Sequence, residues 1–346
     1  MSQGKPSLWQ KILHIAIIGV ISVVFVVLAI RLAVSEFKRE EKPLKLFQEP
    51  SKVKLRSRQG TYMLLKNLNF RLSDEIDLKV YELVGEAIPL KPYEIVNFDD
   101  VNQFVIDILQ ADVFLETRIL EYIFNNLVFN YEGSPLRNLK MKFVEIPGEA
   151  ERRLLLSGDM KLVMWIGFEM LAKMSLDTGN VLFVIEAEKI KSLGNPMTKP
   201  LLDLVGLDLE KLLPVPSGRG ITMKGNRIIV EPFAIFPPPR IGGYITQMQL
   251  LDKGLRLKFD NPFKVNFPEL PEKKVRNFLF LYQGDVKFGK LRMVDTRLQM
   301  IDLDQKDDFD FYLKKYFIPL VKGYSKIKSD ASVVAYIPDF EDALRR

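Results

Sequence analysis

The chain has 346 residues, a hydrophobic share of 47% and a formal charge of +6. That composition excludes a disordered stalk, and modest charge without basic–aromatic interleaving excludes an ordinary nucleic-acid binder. There is no cysteine and a single histidine, His14, so disulfides, thiol nucleophiles and zinc sites are excluded, and so is a His-based triad in the body of the chain.

Ile12 to Ile30 carries no Asp, Glu, Lys or Arg. As a helix rising about 1.5 Å per residue it spans about 28 Å, close to the ~30 Å hydrocarbon core of a bilayer. Trp9 and Lys11 precede it and Arg31 follows it, as membrane interfaces favour. The reading is a transmembrane anchor within residues 1–34, with His14 as an interfacial or packing residue. A cleaved signal peptide is the rival, with Ala33-Val34-Ser35 as the cleavage site. Against it, the run exceeds the ~7–15 residues of a signal core.

Residues 35–59 read as a basic tether with Pro43 and Pro50. Its Lys and Arg residues are attracted to anionic headgroups at about 1 kcal/mol each near the surface. Taken alone they place the large domain in the cytoplasm, but large domains translocate largely regardless of charge. The expected location is the bacterial inner membrane, single-pass, with the domain in the periplasm.

Strand patterns begin at Gly60. Thr61–Leu72, Glu75–Leu83 and Phe104–Leu109 read as strands, broken by Pro89 and Pro92. Leu115, Ile119, Leu120, Ile123, Phe124, Leu127 and Val128 recur at helical spacing and predict a helix over 115–130. Glu116, Arg118, Glu121 and Asn125 fall on its polar face, and Gly133-Ser134-Pro135 ends it.

Leu154–Met164, Phe168–Leu176 and Val181–Glu188 then read as strands. Phe168, Met170, Ala172 and Met174 share one face, and Asp177-Thr178-Gly179-Asn180 forms a turn. One apolar and one polar face per strand predicts an antiparallel sheet over an apolar interior. A second helix is predicted from Pro196 to Leu213, with Leu201 and Val205 on its apolar face. Gly220–Val230, Tyr244–Leu251 and Gly254–Phe259 resume the strands. Past Pro262, Phe278–Met300 reads as two or three strands, Asp307–Tyr324 as a helix and Val333–Ile337 as a last strand.

Chemistry-bearing motifs are sparse. There is no Gly-x-Ser-x-Gly, no His-Glu-x-x-His, no phosphate-cradling loop and no dinucleotide fingerprint. Asp302, Asp304, Asp307, Asp308 and Asp310 are dense enough for hard oxygen ligation of Ca²⁺. Without an EF-hand's turn glycine and closing Glu, they read instead as a turn and helix cap. No metal, cofactor or catalytic residue is expected. Met160, Met164, Met170, Met174, Met197, Met223 and Met248 fall on predicted strands or the second helix, where flexible side chains suit either core filling or a surface for varied apolar partners.

The order of parts carries a resemblance: the helix Leu115–Asn130, a long antiparallel sheet, a second helix Pro196–Leu213, then Gly220 to Val230. The break Pro237-Pro238-Pro239-Arg240-Ile241-Gly242-Gly243 and the closing pair around Leu250 to Leu257 continue it. This resembles the tubular lipid-binding superfamily, in particular its small bacterial envelope members. The resemblance covers 60–261, leaving 262–346 as a strand–helix extension. It implies an α+β fold in which an amino-terminal transmembrane helix precedes a long, curved antiparallel sheet wrapped around one or two helices. It also implies a seam for lipid tails lined by Ile119, Ile123, Leu127, Met160, Met164, Phe168, Met170, Met174, Leu201 and Val205.

The expected function is therefore a membrane-anchored envelope protein that buries acyl chains, at about 0.8 kcal/mol per CH₂. The first alternative is a non-enzymatic envelope scaffold or interaction protein with a filled core. The second is a carboxylate-dependent glycan hydrolase. An apolar tunnel of several hundred Å³ separates lipid carrier from scaffold.

Overall fold

The computed structural model describes residues 60–91, 94–162, 164–193 and 208–345. Alternating apolar and polar residues dominate them, and strands are the result. β1 (Thr61–Arg71), β2 (Asp77–Pro89), β3 (Val96–Asn97) and β4 (Phe104–Glu116) come first. Helix α1 (Thr117–Ile123) follows and runs into a π-helical turn, Phe124–Val128. Next are β5 (Leu136–Val144), β6 (Arg153–Lys161), β7 (Trp165–Asp177) and β8 (Leu182–Leu193). Then come α2 (Leu209–Leu212), β9 (Ile221–Lys224), β10 (Arg227–Val230), β11 (Arg240–Gly243), β12 (Ile245–Leu251) and β13 (Gly254–Asp260). The last part holds β14 (Phe278–Tyr282), β15 (Val286–Phe288), β16 (Leu291–Met293), β17 (Arg297–Asp302) and β18 (Phe309–Tyr312). After them lie α3 (Phe317–Lys322), β19 (Tyr324–Ile327), β20 (Val333–Ile337) and α4 (Phe340–Arg345).

The largest sheet runs β12-β13-β4-β2-β1-β14-β17-β20-β19. Two of its long strands divide one edge between two short partners. β4 pairs with β11 through Val105–Ile108 and with β13 through Gln110–Glu116. β1 pairs with β14 through Tyr62–Lys66 and with β18 through Leu68–Arg71. At the changeover Asn67 takes a left-handed φ of 51°, a conformation Asn tolerates better than most residues, and its side chain donates to the Arg276 carbonyl (3.0 Å). The second sheet runs β5-β6-β7-β8-β10-β9, and a small third runs β16-β15-β3. Pairing is mostly antiparallel, with parallel contacts at β1–β18, β4–β11, β17–β20 and β3–β15.

One contiguous apolar core takes residues from all three sheets, among them Leu281, Phe168 and Phe288. A satellite cluster holds Phe278, Phe280, Ile301 and Val334 on the other side of the large sheet. Side chains of β14 are therefore buried on both faces, which explains its unbroken run of apolar residues.

The α+β expectation is corrected to a mostly β fold. Among the described residues no sheet wraps around a long helix, and the predicted 115–130 helix is much shorter than expected. Leu115 still belongs to β4, paired with Leu255, and regular α-helix ends at Ile123. Of the predicted 196–213 helix, only Leu209–Leu212 is helical among the described residues, and Leu201 and Val205 lie outside them. Asp307–Tyr324 is not one helix. Its Phe309–Tyr312 run is a fully buried strand parallel to β1, as aromatic side chains favour. No described helix is long and apolar enough to cross a membrane, and Ile12–Ile30 lies outside the described residues.

Candidate functional site

A surface groove opens where α1 meets the edge of the second sheet. Its volume is about 540 Å³, within the roughly 300–1,000 Å³ of ligand sites. Three local features build it. The π turn closes with Phe129 N–H donating to the Phe124 carbonyl (2.8 Å). A β-bulge follows in β5: Arg137 faces Asp159 and Lys140 faces Ser157, so two residues oppose the single Gly158. The bulged Asn138 sits at φ 54°. Gly158 is required there, since a Cβ would lie 2.9 Å from the Arg137 carbonyl oxygen and 2.9 Å from Leu139 Cδ2. Bulges re-aim side chains at sheet edges, and this one turns both Arg137 and Asn138 outward.

Trp165 begins β7 and forms the groove's aromatic wall. The Arg137 guanidinium lies 4.0 Å from its ring centroid and the Lys161 ammonium 5.9 Å. Asp159 holds the cluster in register, accepting from Arg137 Nε (3.1 Å) and Asn138 Nδ2 (2.7 Å). Arg219 stacks over Tyr131, another lining residue (4.5 Å). Burial pushes the Tyr131 hydroxyl above its ordinary pKa, although Ser134 and Arg219 counter it. The lining includes Arg137, Lys140 and Lys161 but no carboxylate. It is a groove with an aromatic wall in which Asp159 pairs with Arg137 (3.1 Å) and Glu121 with Lys140 (3.4 Å) from behind the lining, leaving Lys161 as the lining cation without an ion pair among the described residues.

The residues predicted to line a lipid seam divide two ways where they are described, Leu201 and Val205 lying outside the described residues. Ile119, Ile123, Met160, Phe168, Met170 and Met174 all lie in the main core. Leu127 is 36% exposed and Met164 is 61% exposed. Leu127 turns outward because a π turn advances fewer degrees per residue than an α-helix, while Phe124 and Val128 of the same turn stay buried in the core. Met164 sits in the β6–β7 hairpin, where Leu162 N–H donates to its carbonyl (3.1 Å).

Two small apolar cavities lie among the described residues. Between the large sheet and the Pro232–Phe236 segment lies an entirely apolar cavity of about 70 Å³. A second, of about 20 Å³, lies against Phe124, Met174 and Phe183. The groove itself went unread because β5 did. Leu136, Leu139, Met141 and Phe143 face inward, but the bulge breaks the period-2 pattern that announces a strand. A legible signal was the pairing of Trp165 with Arg137, Lys140 and Lys161 around a Gly-Ser-Pro turn.

Comparison with protein-family models, with curated proteins and with solved structures finds no match.

Proposed function

We propose that this chain is a non-enzymatic interaction protein whose β scaffold docks an acidic segment of a partner protein in the Arg137–Trp165 groove. The observation that carries this reading is the contrast between interior and surface. The larger of the two apolar cavities holds about 70 Å³, roughly half the 150 Å³ that accommodates benzene. The surface groove offers about 540 Å³, lined by cations and an aromatic ring. Electrostatic complementarity steers such a ligand in and sets its register, and a half-buried tryptophan beside an arginine is the composition of an interface hot spot. On this reading Ile12–Ile30 is the membrane anchor that keeps the groove at an envelope surface.

The test uses a fluorescein-labelled peptide of alternating Glu and Tyr residues and the full chain carrying Trp9→Phe. Because the chain has two tryptophans, the remaining emission comes from Trp165. Binding is expected to change that emission, and Lys161→Glu is expected to weaken it roughly tenfold or more. Unchanged affinity in Lys161→Glu, or no binding at millimolar peptide, rejects the reading. An acidic oligosaccharide that binds where the peptide does not replaces the partner protein with a glycan.

A second reading, lipid-tail binding, draws on the apolar cavity, whose walls expose no polar surface. Phe233 and Phe236, both only partly buried against the core, are the walls that would have to move. Lipid mass spectrometry of the purified protein tests it: co-purifying acyl lipid supports it, and lipid-free protein that takes up no fluorescent fatty acid rejects it.

A further inference from the structure

We propose that Asp302, Asp307 and Asp339, together with the buried amide of Asn277, form a calcium-binding site. Asp302 ends β17, Asp307 lies in the loop before β18, and Asp339 lies between β20 and α4. One carboxylate oxygen from each lies within 4.8 Å of the others. Among the described residues no Lys or Arg pairs with any of the three. Arg71 is held by Asp310 and Glu341, and Lys79 by Asp308. Three carboxylates this close repel one another, and such a cluster must gain either a proton or a cation.

Asn277 is the observation that points to a cation. The residue is 0% exposed. Its Nδ2 donates to Asp302 Oδ2 (3.2 Å) and to the Asp307 carbonyl, so the amide points into the cluster. Its Oδ1 is buried with no hydrogen-bond partner. A buried acceptor left without a donor is costly. A half-turn of the amide places that oxygen beside the Asp302 carboxylate, at a spacing two ligands of one cation commonly share.

The remaining contacts leave ligand positions open. Asp302 Oδ1 accepts from the Asp304 N–H (2.8 Å), and Asp339 Oδ1 accepts from the Asp310 N–H (2.7 Å). An all-oxygen donor set selects a hard cation. Bonds of about 2.3–2.6 Å put opposite calcium ligands roughly 4.6–5.2 Å apart, whereas magnesium bonds of about 2.0–2.1 Å need roughly 4.0–4.2 Å. Oxygens within 4.8 Å of one another fit either spacing, and an irregular set of oxygens drawn from three separate segments suits calcium, which tolerates irregular geometry where magnesium demands a near-ideal octahedron. Access is graded from exposed Asp307 through half-exposed Asp339 to buried Asp302, a path along which an ion can lose its water stepwise. A cation here ties β17, the 303–308 loop and the final helix together.

The experiment uses the full chain, stripped with a chelator and titrated with calcium by calorimetry, with the melting temperature recorded in parallel. Calcium is expected to bind with a sub-millimolar Kd and to raise the melting temperature, with magnesium roughly tenfold weaker or more. Asp302→Asn and the exposed Asp307→Asn are each expected to lower calcium affinity roughly tenfold or more, while Asp159→Asn leaves it unchanged. Absence of binding heat in the native protein overturns the proposal, as does native affinity in Asp307→Asn. If Asp302→Asn raises the melting temperature and calcium has no effect, a shared proton rather than a cation occupies the cluster, which also overturns it. Should Asp302→Asn fail to fold, Asp307→Asn decides.

Discussion

Glu86 and Asp107 face each other across β2 and β4, two like charges where sheets favour opposite ones. Burial first, and then the charge of Asp107, pushes the Glu86 carboxyl above its ordinary range. Burial does the same to Asp107. A carboxyl raised in the folded state holds its proton more tightly there than in the unfolded chain. From the ordinary carboxylate value, about 4, up to the raised folded values, the native protein therefore binds more protons, and stability falls as pH rises. The loss is complete above the folded values. The melting temperature is expected to drop between pH 4 and neutrality by less in Asp107→Asn than in the native chain. Parallel profiles for the two proteins would remove this pair as the source. Nothing in the local sequence marks these residues, because their meeting depends on a register the chain sets elsewhere.

At the scale of elements, the end strand β5 illustrates both the reach and the limit of pattern reading. An uncovered edge strand invites pairing with other chains, and α1 covers this one with side chains. Asn125 acts as a substitute strand: its Oδ1 accepts from Leu139 N–H (2.8 Å) and its Nδ2 donates to the Leu139 carbonyl (2.9 Å). One turn earlier, Glu121 Oε1 accepts from Met141 N–H (2.8 Å). Truncating Asn125 to Ala leaves both groups of Leu139 without partners in a half-buried place, a cost of about 1–3 kcal/mol. Urea unfolding should show that loss, with exposed Asn126→Ala within about 0.5 kcal/mol of native. A loss for Asn125→Ala no larger than the control's would mean water replaces the cap. The apolar stripe of α1 was legible through Ile119, Leu120 and Ile123, all buried. The polar stripe was legible only as solvent-facing, because period 3.6 separates apolar from polar positions without saying whether polar ones meet water or a strand edge. Strands of strict alternation, such as β7 with Phe168, Met170, Ala172 and Met174 inward, were read correctly. β5, whose bulge breaks the alternation, and β18, buried on both faces and read as part of a helix, were not legible as strands, whereas β14 was, through its unbroken apolar run.

At the scale of the molecule, alternation says which face a strand buries but not which strand it pairs with. Residues 262–346 read as an extension after Pro262, yet their strands return to the middle of the large sheet. β14 pairs Leu281 with Met63 and Leu279 with Leu65, and β18 pairs Phe309 with Leu68 and Phe311 with Phe70. All eight side chains are buried in one core. A protein ending at residue 261 would leave the full length of β1 as an open edge, its backbone donors and acceptors unpaired. Met63, Leu65, Leu68 and Phe70 would lose Leu281, Leu279, Phe309 and Phe311 from beside them, and stabilities of only about 5–15 kcal/mol do not survive the loss of four large buried side chains. Residues 60–346 are therefore expected to unfold in a single cooperative transition, and residues 60–261 to show none and to aggregate. A sigmoidal urea transition with dispersed amide resonances for 60–261 would mean instead that the first two hundred residues close their own core. In that case β14 and β18 would be additions to a finished sheet. The geometry argues otherwise, since β1 holds the centre of the sheet order and has no neighbour other than β14 and β18 on its far side.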